Sequence, residues 1–130
     1  MEASAVIKAS SISNYFPERF QIKIQDQTLL EVIVDRLRQS NLINKIVLAT
    51  SNDEIDDSLV REASKLDIET YRGAYHDSLG RLYGAANISK SDVIVKVLGN
   101  YPLVDPWETD KLAERFIESR SLYATNEHYE

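Results

Sequence analysis

The sequence predicts an α/β fold, a parallel sheet with helices on both faces, and three observations carry that expectation. The run Val93, Ile94, Val95, Val97 and Leu98, broken only by Lys96, has the nearly continuous β-branched character of a strand buried on both sides. Runs of that kind alternate along the chain with stretches whose apolar residues recur at helical spacing, the pattern of a parallel sheet with helical crossovers. Helix-start chemistry stands at the junctions, most clearly at Asp105-Pro106-Trp107-Glu108. Right-handed crossovers then give the strand order 3-2-1-4-5, with Ala3 to Ala9 beside a central Val93 to Leu98.

The first strand gathers around Ala5, Val6 and Ile7 and ends near Ala9, whereas Ser10 to Gln27 has no clear periodicity and is expected to form a long loop. Thr28 and Glu31 have capping-box spacing, and Leu29, Leu30, Ile33, Val34 and Leu37 place a helix from there to about Gln39. Lys45 to Thr50 reads as a second buried strand. Ser51 to Asp53 can cap the helix whose apolar stripe is Ile55, Leu59, Val60, Ala63 and Leu66. Ile68 to Tyr71 is a third strand ending at Arg72 and Gly73, and Asp77 or Ser78 opens a helix carrying Leu79, Leu82, Tyr83 and Ala86. After the central strand, Gly99 is expected to turn the backbone, leaving Asn100 at the strand's carboxyl end, with Pro102 and Pro106 stiffening the exit. The last helix buries Leu112, Ala113, Phe116 and Ile117, and Ser121 to Thr125 has the character of a fifth strand.

With 130 residues and 43% hydrophobic content, the chain suffices for one compact domain. No apolar run approaches the ~18 residues of a membrane span, and no leader pattern opens the chain, so a soluble, cytoplasmic protein without a membrane partner is expected. The absence of cysteine excludes disulfides, thiolate catalysis and cysteine-based zinc sites, and His76 and His128 are too few for a histidine metal centre. A net charge of -6 argues against long nucleic acids while leaving a small phosphate ligand open, provided that cations gather locally.

With no glycine before Gly73, both a glycine-rich dinucleotide loop after the first strand and a P-loop are excluded. A phosphoacceptor site would need acids where Ala9, Ser10 and Ser11 stand. Asp53, Glu54, Asp56 and Asp57 read as solvated acids at the positive end of the second helix rather than as a metal cluster. Tyr15 and Phe16 are expected to fold back onto the core in preference to stacking on a base, and His76 to face solvent. Asp77 and Arg81 are open to two readings. They could hold ribose or phosphate, or be an N-cap and a surface residue.

The segments KIVLATSND, YRGAYHDSLGRLYGAA and DVIVKVLGNYPLVDP, in this order, resemble the nucleotidyltransferases of the spore coat polysaccharide type, relatives of the CMP-sugar synthetases. The likeness is carried by Arg72-Gly73, by Asp77 through Tyr83, and by Gly99 through Pro106. It covers essentially the whole chain but only the amino-terminal half of a full-length member. The resemblance implies a Rossmann-like parallel sheet forming the first half of a GT-A-like fold, with residues 1–130 as the nucleotide-binding domain of a longer protein. It also implies Mg2+-assisted attack of a sugar hydroxyl or sugar phosphate on the α-phosphate of a nucleoside triphosphate, releasing pyrophosphate.

Against that family's pattern, Ala9, Ser13 and Pro17 are kept in the first loop, while Ser10 and Tyr15 replace two arginines, Ile12 and Glu18 replace glycines, and Arg19 replaces a lysine. Asn100 stands at the position of a metal-holding aspartate, and a neutral amide is a poor ligand for Mg2+. The expected nucleotide contacts are therefore vestigial: Lys8, Ala9, Ser10, Ser13, Arg19, Asp77, Gly80, Arg81 and Gly99, with Asn100 as a degenerate metal position and no catalytic residue. Losing one transition-state donor costs roughly 10²–10³ in rate. A domain that binds nucleotide or nucleotide-sugar without efficient catalysis follows, in surface polysaccharide or nucleotide-sugar biosynthesis. Two alternatives stand beside it: a working transferase completed beyond Glu130 or by a partner, with Arg19, Arg81 and Lys8 as its cations, and a ligand-free dimerisation module. A homo-oligomer or a fused downstream domain would cover the sheet edge near Ser121 to Thr125.

Overall fold

The computed structural model describes residues 2–12 and 19–126. A four-stranded parallel sheet is built from β1 (Ala3–Lys8), β4 (Ile43–Ser51), β5 (Glu69–Gly73) and β6 (Val93–Leu98), in the order β5-β4-β1-β6. That is the predicted 3-2-1-4 sequence of crossovers. Among the described residues no fifth strand forms: Ser121 to Thr125 is exposed coil. Val93–Leu98 is therefore an edge strand pairing with β1 alone, and the central places belong to β1 and β4. Its burial reflects this, since only Val93 and Val97 are buried while Lys96 is exposed.

Three helices, α1 (Leu29–Leu37), α2 (Asp57–Lys65) and α4 (Pro106–Ser119), follow strands that leave them over one face, and α3 (Ser78–Ser89) covers the other. Side chains alternate across the sheet. Ala5, Ile7, Leu48 and Val97 meet Leu30, Ile33, Val34, Leu37, Leu59 and Ala63 in the larger core, while Val6, Val47 and Ala49 meet Ala85 below α3. The expected caps form. Thr28 Oγ1 accepts from the Glu31 amide at 3.2 Å, and Asp105 Oδ1 accepts from Trp107 and Glu108 at 2.8 and 3.2 Å. Asp110 of α4 also accepts from Ser40 and the Asn41 amide, tying α4 to the end of α1.

The first long connection is more ordered than its lack of periodicity suggests. A 3-10 turn, Arg19–Gln21, buries Phe20, and a two-residue hairpin pairs β2 (Lys23–Ile24) with β3 (Gln27–Thr28). Gln25 and Asp26 at its tip have φ of 51° and 68°, the left-handed pair that such tight hairpins demand. The face of α3 also departs from expectation. Arg81, Gly84, Ala85 and Ser89 are buried, whereas Leu79 and Tyr83 are 76% and 68% exposed. Small residues fill that face because the Tyr71 ring lies against the helix: a Cβ on Gly84 would stand 2.1 Å from Tyr71 Cζ.

Candidate functional site

The carboxyl ends of β1, β4 and β6 converge on one edge, where open α/β sheets bind ligands. Gly99 donates its amide to the Lys8 carbonyl at 2.9 Å, and Ala9 donates to Ala49 at 3.1 Å. A Cβ on Gly99 would lie 2.6 Å from Ala9 Cβ and 3.2 Å from Phe20 Cε1. Glycine is needed there for close approach. No glycine among the described residues has a positive φ, so the expected sharp turn is not its role.

Asp56 overturns the reading of its acidic run as solvated. It is 0% exposed and accepts from Ser10 Oγ and the Ser11 amide, both at 2.6 Å, and from Ser51 Oγ. The two hydroxyls pass the order on: Ser10 Oγ accepts from the Ile12 amide at 3.1 Å and Ser51 Oγ from the Asp53 amide at 3.2 Å. Burial pushes the Asp56 carboxyl upward, but the hydrogen bonds from Ser10, Ser51 and Ser11 outweigh it and hold the group below the ordinary aspartate range. The start of the first loop is thus pinned to the end of β4 by a buried carboxylate. Its acidic neighbours have other duties: Asp53 caps the Ile55 amide at 2.9 Å, and Asp57 pairs with Arg72 at 2.8 Å.

Arg81 is not a surface residue. At 4% exposure, its guanidinium carbon lies 5.6 Å from the Tyr75 ring centroid and Nη2 donates to the Tyr75 carbonyl at 3.1 Å. Its Nε is buried with no hydrogen-bond partner among the described residues. Asp77 is the α3 N-cap, accepting from the Gly80 amide at 2.8 Å, and a Cβ on Gly80 would come within 2.2 Å of that carboxylate. Gly80 therefore makes room for the cap. On the same face, Lys8 is held below the ordinary lysine value, first by burial and then by the charges of Lys96 and Arg81.

Arg19 reaches back to the loop's start, donating from Nη2 to the Ser10 carbonyl at 2.8 Å with its guanidinium 4.6 Å from the Phe20 ring centroid. Ser13, Tyr15, Phe16, Pro17, Glu18 and His128 lie outside the described residues. His76 is exposed and meets Tyr75 edge to face, as expected. Asn100 is exposed just beyond buried Gly99. No group of three or more His, Cys, Asp or Glu among the described residues is gathered to hold a metal ion. The carboxylates of this edge do not fit Mg2+ either, since Asp56 is saturated by donors and Asp77 is turned onto its helix. A cavity of ≈ 560 Å³ lined by Arg38, Ile46, Asp67 and Ile68 lies near the start of β4 and β5, away from these groups.

Sequence reasoning had placed Lys8, Ala9, Ser10, Arg19, Arg81 and Gly99 at this edge, and the fold brings them there. It missed Ser11, Ser51, Asp56 and Lys96. The last did leave a sign, as the one charge interrupting an apolar strand.

The sequence profile described as cytidylyltransferase matches residues 5–129. The spore coat polysaccharide biosynthesis protein SpsF of Bacillus subtilis is 30% identical over 122 residues, covering 91% of this chain and 51% of that protein. A cytidylyltransferase structure from Leptospira borgpetersenii superposes with a TM-score of 0.86 at 28% identity, over 92% of this chain and 50% of the other. CMP:2-keto-3-deoxy-manno-octonic acid synthetase, solved with CTP, gives a TM-score of 0.79 at 15% identity, over 94% and 50%, a likeness of fold. The chain spans about half the length of the curated relatives it matches. No helix among the described residues is long and apolar enough to cross a membrane.

Proposed function

The chain belongs to the cytidylyltransferase family, and from that premise we propose that it is the nucleotide-binding half of a longer nucleotidyltransferase-like protein of surface-polysaccharide or nucleotide-sugar biosynthesis, one that keeps affinity for ligand but does not transfer nucleotide efficiently. One observation carries this reading. The position after Ala9, where the resembling enzymes place an arginine, holds a buried serine whose hydroxyl is spent on Asp56. A buried carboxylate stands behind the loop that would have to wrap a triphosphate. Nucleotidyl transfer depends on neutralising charge that develops between the α-phosphate and the leaving pyrophosphate, and Ser10 and Asn100 supply none.

The proposal predicts weak CTP binding, little changed by Mg2+, and no pyrophosphate release with sugar acceptors. Pyrophosphate release stimulated by Mg2+ and an acceptor, and abolished by Arg19→Ala, would overturn it in favour of a working transferase. That second reading has its own support in Arg19, whose guanidinium lies on the Ser10 carbonyl and brings a cation to the loop's start. Asn100→Asp alone is expected to leave the chain inactive, because the loop would still lack the two arginines that Ser10 and Tyr15 replace.

A further inference from the structure

The cavity of ≈ 560 Å³ opens between the carboxyl ends of α1 and α2, over the first residues of β4 and β5, at the end of the sheet opposite the carboxyl edge. Ile46 is buried at its floor with half-buried Ile43 and Ile68 beside it, and all three pack on the larger core. Lys45 and Glu69 also border it. Glu69 stands opposite Val47 and Lys45 two residues before it, so both share the α3 side of the sheet, where they pair with each other at 2.9 Å. Arg38 crosses from the end of α1 and donates Nη2 to the Leu66 carbonyl at the end of α2. The remaining charge is Asp67, an exposed carboxylate with no ion pair or side-chain hydrogen bond among the described residues.

Asp67 stands against two local preferences. The Asp67 and Ile68 amides donate to the Ser64 and Ala63 carbonyls, both at 3.1 Å, the paired bonds that close a helix when the residue after its cap turns left-handed. Asp67 makes that turn at φ 58°, where glycine is the usual occupant. Its charge also lies at the negative end of α2, which favours a cation. A solvated acid accounts for the exposure of Asp67 but for neither of these costs, whereas a cation held beside it reverses the second. One free carboxylate over an isoleucine floor is too few ligands for a metal ion. The volume is that of a small-molecule site. We propose that this cavity takes a small organic cation, a primary ammonium group on a short apolar body, with Asp67 as its counter-ion and Ile43, Ile46 and Ile68 as its floor. Asp67 repels a phosphate there, so the site is independent of the carboxyl edge and of any nucleotide bound at it.

The test is a two-dimensional NMR titration of the backbone amides with n-pentylammonium, n-pentanol and pentanoate at matched low ionic strength, on the wild type, Asp67→Asn and Asp67→Gly. Asparagine and glycine both accept the left-handed conformation, so each variant keeps the turn while removing the charge. Pentylammonium should shift the Ser64, Ile68 and Glu69 amides saturably and leave Gly73 and Gly99 unmoved. Pentanol should bind about fivefold more weakly, the upper end for loss of an exposed ion pair, and pentanoate more weakly still. Each variant should weaken pentylammonium by about the same factor, and added salt should shrink the difference from wild type. Asp67→Gly should also raise the thermal midpoint, because it relieves both local costs. Affinity lost while stability is gained is a pattern that a purely structural role for Asp67 does not give. No saturable shift at Ser64, Ile68 and Glu69, pentanoate binding as tightly as pentylammonium, or Asp67→Asn binding pentylammonium as the wild type does would each overturn the site.

Discussion

Replacing Asp56 tests whether the first loop is held by a buried charge. Its carboxylate receives two hydrogen bonds at 2.6 Å, from Ser10 Oγ and the Ser11 amide, and a further one from Ser51 Oγ. Hydrogen bonds to a charged group contribute roughly 1.5–3 kcal/mol each. Simple addition overstates their sum, because the orphaned hydroxyls can rotate while the Ser11 amide cannot. Asp56→Ala should therefore cost about 3–5 kcal/mol. Asp56→Asn keeps one oxygen for the Ser11 amide and offers an NH2 that the hydroxyls can accept, so about 1–2 kcal/mol is expected. With a urea m-value of about 2 kcal/mol/M, Asp56→Ala moves the midpoint down by roughly 1.5–2.5 M and Asp56→Asn by roughly 0.5–1 M. A midpoint for Asp56→Ala within about 0.3 M of wild type would refute the reasoning.

The same group sets a pH dependence. Since the folded Asp56 pKa is depressed, its stabilisation is complete above the ordinary aspartate value and is lost as pH falls through the folded value, a loss that Asp56→Asn should remove from acid unfolding curves. Glu62 has the opposite sign: burial and then Glu31 hold it above the ordinary glutamate value, so its ionisation subtracts stability as pH rises, and Glu62→Gln should raise the melting temperature at neutral pH but not in acid. Gly84→Ala gains up to about 1 kcal/mol of helix propensity but drives a methyl to 2.1 Å from Tyr71 Cζ, so a net loss of about 1–2 kcal/mol is expected in thermal unfolding, and an unchanged midpoint would contradict the packing. Concentration-dependent association is expected in sedimentation velocity, because β6 is an open edge and Leu103, Trp107, Leu122 and Tyr123 are 82%, 75%, 100% and 79% exposed; a strict monomer at high concentration counts against it.

What could be read from the sequence was local or topological. Thr28 and Asp105 announced their helices because a cap is written within four residues, and crossover handedness ordered four strands without any knowledge of their contacts. Ser121 to Thr125 misled because strand propensity is only a fit to a pleated, half-buried surface. Among the described residues, no strand pairs with them. The α3 face misled for a related reason: its buried positions carry small residues and an arginine, so hydrophobicity pointed to Leu79 and Tyr83, on the other side. Asp56 could not be read at all. Its partners Ser10 and Ser11 lie 46 and 45 residues away, and a carboxylate that is buried looks, in sequence, like its solvated neighbours.

The buried Asp56 constrains what the start of the first loop can bind. Asp56 sits at the entry to α2, whose Leu59 and Ala63 belong to the α1 side of the sheet. A dianion placed over Ser10 and Ser11 would face a carboxylate whose lone pairs already hold those donors, so it could recruit the Ser11 amide only by taking it from Asp56. On electrostatic grounds, then, the loss of arginine from the first loop and the burial of Ser10 against Asp56 belong together. Restoring an arginine with Ser10→Arg would have to expel the Ser10–Asp56 bond and put a long side chain into a buried site, which makes it a destabilising change here rather than a recovery of phosphate binding.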